Sequence, residues 1–356
     1  MSRAPRLPRT ILLLGVLCAG ALALVSCGPD LPATTLFTEG DHAARIYDLL
    51  LPMLWTGLGV FIVVEGVLLY TVWRYRQRAH SGIPAQIHGN TRIEILWTVA
   101  PALIVLVITV LTFRVQAQNA YQPPDAMNVT AVGHQWWYEF QYPEAGVVTA
   151  NDLYLPVGRP VRVALQAKDV NHSFWVPRLA GKTDMIPGVT NYLTFKPGQV
   201  GTYYAECSVL CGESHAHMGF RVVVVPPEEF ERWLAEHKQP PAAPVGDATR
   251  GSQVFNKKVC WSCHVINGRE DAAKSGNNAP NLTYFGSRTT IAAGQLPNTP
   301  ENLAKWLHNP GQIKPGNLMS GQVKPGYLSD QEIADLVAYL ESMKVSVQAP
   351  PMVGEN

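Results

Sequence analysis

The chain has 356 residues, which is too long for one small domain and fits a membrane part followed by two further domains. Its formal net charge is only +1, so it lacks the strongly basic surface that binds nucleic acid, and we exclude nucleic acid as a partner.

The N-terminus has the pattern of an export signal. Three arginines precede an apolar run at 11–25, which is too short for a membrane-spanning helix. The run ends in a sequence that resembles a bacterial lipobox, so we predict a lipoprotein signal peptide over 1–26 and a lipid on Cys27. An ordinary secretory signal with an incidental cysteine is the alternative. Both interpretations export the rest of the chain.

Two longer apolar stretches follow, at about 49–73 and 95–113. Each can cross a hydrocarbon core of roughly 30 Å as a helix. The short loop between them carries four arginines, and basic loops stay on the cytoplasmic side. We therefore predict an N-terminal segment with a transmembrane hairpin over 27–119 in a bacterial cell membrane, with everything after it on the outer face.

The pattern from 120 to 230 is one of short strands. Runs rich in Val, Tyr, Thr and Phe are separated by Pro and Gly turns, which predicts an antiparallel β-sandwich or barrel. The predicted strands are 127–132, 161–165, 192–195, 201–205 and 220–225.

The remaining third of the chain is predicted to be helical. A proline-rich stretch predicts a semi-rigid linker over 231–246. We then expect a small α-helical domain over 247–345 and a tail over 346–356, with Ser329 and Glu332 as a capping box on the last helix. The predicted helices are 247–260, 301–308 and 329–343.

A C-x-x-C-H motif runs from Cys260 to His264 in the helical domain. The thiols of Cys260 and Cys263 suit the two vinyl groups of a haem, and the adjacent His264 suits the proximal face of its iron. A redox dithiol or half of a zinc site is the alternative, but neither needs this histidine. The motif therefore favours covalent haem c.

A second cluster runs from Cys207 to Met218 and includes Cys211 and His215, with His172 upstream. A disulfide, a Cys-Cys-His-His zinc site and unconnected core residues are the alternatives to a copper site. Copper is favoured because a methionine is a soft, weak ligand that copper tolerates and structural zinc does not seek.

The segment Cys207-Ser208-Val209-Leu210-Cys211-Gly212-Glu213-Ser214-His215-Ala216-His217-Met218 resembles the binuclear copper loop of cytochrome c oxidase subunit II. The resemblance extends to 169–187, to the aromatic run at 133–138 and to the hairpin. With the haem domain it covers nearly the whole chain and resembles the cytochrome-c-fused, caa-type form. It implies a cupredoxin-like fold for the β domain and an all-α cytochrome c fold for the C-terminal domain.

The resemblance also implies ligands for two copper ions: two bridging thiolates, two histidine nitrogens, a weak thioether and one backbone carbonyl. Cys207 and Cys211 would supply the thiolates, His172 and His215 the nitrogens, Met218 the thioether and Val209 the carbonyl. The family usually has a glutamate at the position of Val209, where its side chain commonly helps to bind magnesium, and this chain lacks that side chain. His217 is off the expected spacing and is placed outside the ligand set.

Three acidic or aromatic residues complete the comparison with the family. Trp136 matches the exposed tryptophan through which an electron passes from cytochrome c to copper, and a core aromatic is the alternative. Glu94 is similar to the carboxylate at the entrance of the proton pathway into subunit I, and a solvated glutamate is the alternative. Glu65 falls inside the first helix and receives no role.

The second axial ligand of the haem iron must come from beyond the first helices. Met319, Met343 and Met352 compete for this role. Met319 is favoured because the segment before it resembles the ligand loop of cytochrome c. Pro280 matches the turn whose carbonyl accepts the second N–H of the proximal histidine.

The resemblance implies subunit II of a respiratory haem-copper oxidase. Electrons would pass from haem c to the binuclear copper and on to haem a of subunit I, where oxygen is reduced and protons are pumped. The implied partners are subunit I, subunit III, membrane lipid and an upstream donor such as quinol:cytochrome c reductase or cytochrome c. A membrane-tethered copper and haem carrier, or a copper-delivery protein, is the alternative, but a tether does not need a hairpin.

Overall fold

The structure is a computed structural model that describes residues 15, 20, 31–76, 86, 89–274, 276 and 278–354. Nearly all of the predicted signal peptide, and the predicted lipid site at Cys27, lie outside the described residues. Three parts follow one another along the described chain: a helical hairpin, a β domain and a helical domain.

Two long helices, α1 (Asp41–Arg74) and α2 (Thr91–Ala120), form the hairpin. Both are long and apolar enough to cross a membrane. Arg45, near the start of α1, donates a hydrogen bond of 2.9 Å to Asn119 Oδ1 at the end of α2. The two helices are therefore antiparallel, as the short loop between the apolar stretches predicted.

Helix α1 begins before the predicted apolar stretch because its first turn packs on the β domain. Asp41 Oδ1 accepts a hydrogen bond from Lys196 N at 2.7 Å, and His42 Nδ1 accepts one from Gly181 N at 3.2 Å. His42 and Ala43 are buried. Hydrophobicity along the chain does not record such contacts, so the sequence predicted a shorter helix.

The β domain contains ten strands among the described residues, which form a five-stranded, a three-stranded and a two-stranded sheet. The strands are β1 (Met127–His134), β2 (Trp137–Tyr142), β3 (Val147–Ala150), β4 (Asp152–Pro156), β5 (Val161–Ala167), β6 (His172–Phe174), β7 (Thr183–Met185), β8 (Asn191–Phe195), β9 (Gly201–Glu206) and β10 (Gly219–Val225). The sheet orders are β3-β2-β1-β5-β8, β4-β10-β9 and β6-β7.

The predicted β-sandwich fold is confirmed, but two of its strand pairs are parallel where an antiparallel sandwich or barrel was expected. Strand β1 pairs with β5 in parallel, and β4 pairs with β10 in parallel. In both pairs the chain crosses other strands before it returns, so the partners are not sequence neighbours. Alternating hydrophobicity identifies strands but carries no information on which strands pair.

The core of the β domain is aromatic. Tyr138, Phe140, Phe174 and Phe220 are fully buried, and ring centroids within this group lie 4.4 to 6.2 Å apart. Aromatic pairs in this distance range contribute beyond the area they bury. The core therefore gives the loops at the ends of the strands a rigid support.

The β domain continues into α3 (Pro227–His237). Trp233 of this helix is 1% exposed and stacks on Tyr154 with ring centroids 4.6 Å apart. The sequence placed the end of the domain at 230 and a linker over 231–246, and the first part of that predicted linker is instead a helix packed on the domain. The stretch left as a spacer is 238–246.

The helical domain has two long helices and three shorter ones among its described residues, with a small β-hairpin. These elements are α4 (Asp247–Lys257), β11 (Thr290–Ile291), β12 (Leu296–Pro297), α5 (Pro300–His308), α6 (Pro310–Ile313), α7 (Leu318–Gln322) and α8 (Asp330–Ser342).

Helices α4 and α8 cross closely at Gly251. A Cβ atom there would lie 1.9 Å from the carbonyl oxygen of Asp335, so only glycine fits this crossing. The predicted capping box at the start of α8 is confirmed, because Ser329 N donates to Glu332 Oε2 at 3.0 Å and Glu332 N donates to Ser329 Oγ at 3.3 Å.

The predicted tail is not a free segment, because the chain returns to the β domain after α8. Val345 and Val347 are buried in the core of the β domain. Thr202 N on the edge strand β9 donates to Pro351 O at 3.0 Å, and Val353 N donates to Thr202 O at 2.8 Å. The helical domain is therefore attached to the β domain at both of its ends.

Candidate metal and haem sites

The loop from Cys207 to Met218 joins the antiparallel strands β9 and β10. Cys207 N donates to Met218 O at 3.0 Å across the base of the loop. Gly212 has a φ of +118°, which side chains rarely adopt, and a Cβ there would lie 3.0 Å from the ring of Trp136. The glycine lets the loop fold back against that tryptophan.

The two thiols of the loop face each other, with the Sγ atoms of Cys207 and Cys211 3.8 Å apart. Both cysteines are free, and the distance is far longer than the roughly 2.05 Å of a disulfide. Cys211 Sγ also lies 3.8 Å from Met218 Sδ and 3.6 Å from His215 Nδ1. The loop therefore brings two thiols, a thioether and an imidazole together.

His172 joins this cluster from β6 and is fully buried. Its Nε2 lies 2.7 Å from Asp169 Oδ1, whereas its Nδ1 is buried without a hydrogen-bond partner among the described residues. One ring nitrogen of His172 and the sulfur atoms of Cys207 and Cys211 all lie within 4.8 Å of one another. A buried nitrogen without a partner is costly, so its position beside two thiols fits a metal ligand.

The ionisation of the thiols suits metal binding. The hydrogen bond from Cys211 lowers the pKa of Cys207 against the opposing effect of burial, and the same bond raises the pKa of Cys211. The hydrogen bond between the two thiols thus favours loss of one proton from the pair, and the thiolate is the form that binds metals.

The donor set fits copper. The carbonyl oxygen of Val209 lies 3.3 Å from Cys207 Sγ, so the backbone adds an oxygen to the sulfur and nitrogen donors. Soft thiolate and thioether ligands select copper, whereas a structural zinc site would be complete with four thiolate and imidazole ligands. His217 is half-buried, and its Nδ1 has no hydrogen-bond partner in the described part of the chain.

A cleft lined largely by apolar side chains opens in the helical domain where it meets the β domain. Cys260, His264, Pro280 and Met319 line it. His264 Nδ1 lies 2.8 Å from Pro280 O, which leaves Nε2 as the nitrogen for iron. Cys263 is exposed and is not part of the cleft wall. The residues present fit a haem held between His264 and Met319.

The three methionines that competed in the sequence occupy different places. Met319 is the one of the three that lines the cleft. Met343 is 3% exposed and packs in the core of the helical domain. Met352 forms a bridge with Thr202 at the edge of β9. The structure therefore brings Met319 to the same cavity as His264.

Trp136 lies between the two sites. Its indole N–H donates to Cys211 O at 3.0 Å, and the residue is also among those that line the haem cleft. The resemblance implied an exposed tryptophan and left a core aromatic as the alternative, and the residue is 8% exposed and belongs to the buried core of the β domain. A Cβ at Gly316 of the helical domain would lie 3.1 Å from its ring.

Further hydrogen bonds join the two domains around the metal-binding loop. The hydroxyl of Ser214 donates to Pro315 O, and Gly219 N donates to Ala293 O at 2.9 Å. Sequence reasoning missed these residues. No local pattern marks them, because each contact joins two domains and depends on how the domains meet.

Glu94 lies in the first turn of α2. Its Oε1 accepts a hydrogen bond from Asn90 N at 3.1 Å, and the Asn90 side chain accepts one from Arg92 N at 3.1 Å. A carboxylate in this place stabilises a helix N-terminus. Glu94 therefore has a capping contact, and its role in a proton pathway stays a prediction.

Comparison with known families divides the chain in the same order as the described elements. The family described as cytochrome C oxidase subunit II, transmembrane domain, matches residues 42–115, and the periplasmic domain of the same subunit matches residues 147–225. The cytochrome c family matches residues 248–344.

Individual relatives match most of the chain. Cytochrome c oxidase subunit 2 of Alkalihalophilus pseudofirmus (strain OF4) is 36% identical over 335 residues, covering 91% of this chain and 94% of that protein. The subunit of the same name from Bacillus subtilis (strain 168) is 35% identical over 360 residues, covering 94% and 98%. A solved periplasmic domain of cytochrome oxidase subunit II from Bradyrhizobium japonicum is 31% identical over 33% of this chain and 96% of its own, with a TM-score of 0.32. The chain therefore belongs to the cytochrome c oxidase subunit 2 family, as a membrane subunit of a haem-copper oxidase with a copper-binding β domain and a fused C-terminal cytochrome c domain.

Proposed function

We propose that the chain is the electron-transfer subunit in which one covalent haem c and two copper ions, when bound, supply one-electron transfer towards subunit I. The observation that carries this proposal is the position of Trp136. Its indole N–H is bonded to the copper loop at Cys211 O, 3.0 Å away, and the same residue lines the haem cleft. One residue thus borders both sites.

The copper pair would be held by the loop between β9 and β10 together with β6. The ligands would be the thiolates of Cys207 and Cys211, the imidazoles of His172 and His215, the thioether of Met218 and the carbonyl oxygen of Val209. Asp169 supports this assignment, because its 2.7 Å contact with Nε2 of His172 fixes the ring and leaves the buried Nδ1 without a partner in the described part of the chain. The rigid strands hold these donors in place before any metal arrives.

Cys260 and Cys263 would hold the haem covalently, and His264 and Met319 would supply the ligands to its iron. The carbonyl of Pro280 accepts the Nδ1–H of His264, which fixes the ring and leaves Nε2 for the metal. The apolar wall of the cleft excludes water from the haem face, and such burial is one of the means by which a protein sets a haem potential.

Trp136 would be the residue at which electrons reach the copper domain. Because the cytochrome c domain covers it, the donor to Trp136 is the fused haem domain, and an external carrier would deliver electrons to that domain instead. Such a carrier would be a cytochrome c or a quinol:cytochrome c reductase.

The hairpin would place the copper and haem domains on the outer face of a bacterial cell membrane, with a lipid on Cys27 as a further anchor. Large apolar side chains cover α1 and α2, for example Val63 at 65% and Phe113 at 66% exposure. These surfaces suit lipid together with subunits I and III. Glu94 would lie at the cytoplasmic end of α2, at the entrance of the proton pathway.

A membrane-tethered carrier or copper-delivery protein is the second candidate function. Such a protein has to expose its cofactor site to varied partners. Here Trp136, which is bonded to the copper loop, is buried against the protein's own haem domain, and the match to oxidase subunits spans 91% of the chain. Both observations favour the oxidase subunit.

Cys207→Ser in the assembled oxidase tests the proposal, with Val209→Ala as the matched control. A hydroxyl cannot replace a bridging thiolate, so Cys207→Ser should lose copper and abolish electron transfer from reduced haem c to haem a, with the haem c spectrum intact. Val209→Ala keeps the backbone carbonyl and should retain both copper ions and the transfer. Transfer at near the original rate in Cys207→Ser would show that electrons bypass this site.

A further inference from the structure

Lys314 occupies an unexpected place between the two domains. It is 4% exposed, although it precedes the loop that carries Met319. Its ammonium group donates one hydrogen bond to the backbone carbonyl of Trp136 in the copper domain. A second hydrogen bond, of 3.4 Å, goes to the carbonyl of Ala292 in its own domain. Lys314 therefore links the haem domain to the backbone of the tryptophan that separates the two sites.

The surroundings of this ammonium group are otherwise unfavourable to it. Its hydrogen bonds go to two neutral carbonyls, and in the described part of the chain no carboxylate forms an ion pair with it. Burial accordingly lowers the pKa of Lys314 to about 7. A negative charge on Cys211 of the copper loop raises this pKa, but its effect is smaller than that of burial, so the cation remains costly at this place. Packing alone does not account for a lysine here, whereas its contact with Trp136 does.

The ring of Trp136 is held by parts of both domains. A Cβ at Gly212 of the copper loop would lie 3.0 Å from its Cζ2, and a Cβ at Gly316 of the haem domain would lie 3.1 Å from its Cη2. The indole is thus enclosed between two glycines, one from each domain, with its N–H fixed on Cys211. What remains to be fixed is the backbone of Trp136, and Lys314 binds that backbone.

Neighbouring residues of the same segment bind the copper loop as well. Pro315 O accepts the hydroxyl of Ser214, and Gly316 lies against the Trp136 ring. Three consecutive residues of the haem domain, 314–316, therefore contact the tryptophan and the metal-binding loop. The same segment leads directly into α7, which carries Met319, so its position also sets the position of the haem cleft.

We propose that Lys314 is a positioning residue for internal electron transfer: by binding the Trp136 carbonyl it fixes the haem cleft, the tryptophan and the copper loop in one arrangement. This inference rests on the proposed function, because it concerns transfer between the two sites named there. Lys314 also lines the haem cleft, and its proposed role is exerted through Trp136.

Lys314→Met tests this inference, since methionine approximates the lysine stem and removes both hydrogen bonds. In the intact oxidase, transfer from photochemically reduced haem c to copper should slow by about 10-fold to 100-fold, because a misplacement of about 1 Å can cost that much. Transfer from copper onward to haem a, the haem c spectrum and the copper content should stay unchanged. An unchanged first step in a variant with intact spectra would overturn the inference.

Lys324→Met is the matched control, because Lys324 is exposed on the same domain. It should leave both steps unchanged, and an equal slowing in this variant would overturn a specific role of Lys314. If Lys314→Met fails to incorporate haem, Ser214→Ala tests the docking of the same segment from the copper domain, because it removes the hydrogen bond to Pro315 O. This variant should also slow the first step but not the second. A first step at the original rate in Ser214→Ala would then overturn the inference.

The two proposals fail in different ways. If the unmodified oxidase shows no transfer from haem c to copper, the proposed function is wrong. If the unmodified oxidase transfers electrons and Lys314→Met does so equally fast, the function stands and the role of Lys314 is wrong.

Discussion

Asp152 of the copper domain accepts two hydrogen bonds from Thr289 of the cytochrome c domain, one from the backbone N–H at 2.8 Å and one from the hydroxyl at 3.0 Å. Asp152 is 2% exposed, and burial raises its pKa. A buried carboxylate is tolerated when its oxygen atoms are bonded in this way. The contact therefore favours one docked arrangement of the two domains.

Asp152→Ala should loosen this docking. Thr289 would lose the acceptor for two hydrogen bonds, which costs about 1–3 kcal/mol. Hydrogen exchange measured by mass spectrometry should become faster in the segment around Thr289, while the haem spectrum is unchanged. Asp184→Ala, at an exposed position of the same domain, serves as the control. Equal protection of the Thr289 segment in Asp152→Ala and the parent would contradict a docking role for the carboxylate.

Removal of the residues after Lys344 should free one end of the cytochrome c domain. The deletion removes the buried Val345 and Val347 and the hydrogen bonds to Thr202. Burial of two valines contributes about 3–6 kcal/mol. Limited proteolysis of the spacer at 238–246 should therefore become faster than in the parent.

A chain that lacks only Glu355 and Asn356 keeps these contacts and should be cleaved at the parent rate. If the longer deletion leaves the cleavage rate unchanged, the C-terminal segment does not hold the domain in place.

Met319→Ala should leave the haem attached but remove its sulfur ligand. The haem potential should fall, because a thioether ligand favours reduced iron. The weak long-wavelength absorption band that reports the bond between iron and methionine sulfur should disappear. Met343→Leu, a conservative change in the helical core, should keep the band. Persistence of the band in Met319→Ala would assign the ligand to another residue.

His237 gives the junction between the domains a predicted sensitivity to acid. Its ring lies 4.0 Å from that of Trp233 and 4.9 Å from that of Tyr284 in the cytochrome c domain, measured between centroids. Burial lowers its pKa from 6.5 to about 4. Between these values the unfolded chain binds more protons than the folded chain, so the folded state is destabilised as the pH falls from 6.5 towards 4.

The loss at His237 amounts to about 3 kcal/mol at most. Thermal unfolding of the purified oxidase across this pH range should show a smaller acid-induced fall in Tm for His237→Gln than for the parent. His308→Gln, at an exposed position, should behave as the parent does. An equal fall in Tm in all three proteins would exclude His237 as the source of the acid sensitivity.

The sequence predicted features that a short stretch of chain contains. Cys260 and His264 belong to one motif, and the loop donors from Cys207 to Met218 lie within one hairpin, so their spacing alone suggested their chemistry. The capping box at Ser329 and Glu332 is equally local. In each case the residues that act together are already close in the chain.

Features that depend on contacts between distant residues were not predicted. The parallel pairing of β1 with β5 and the return of Val347 to the β domain join segments that no local pattern connects. The burial of Lys314 follows from the docking of two domains, and a lysine is ordinarily expected at the surface. The helix Pro227–His237 is different, because Phe230, Trp233 and Leu234 recur at helical spacing among charged residues, and this local pattern does indicate a helix that extends past residue 230.

The most direct test of internal transfer is the ionic-strength dependence of haem c oxidation in the intact oxidase, followed by rapid mixing. A cytochrome c domain docked through Lys314, Asp152 and the C-terminal segment needs no diffusional encounter with Trp136. The rate constant should therefore be independent of protein concentration and nearly independent of added salt. A steep fall of the rate with salt, as seen when separate charged proteins associate, would contradict the docked arrangement and show that the donor to copper arrives from solution.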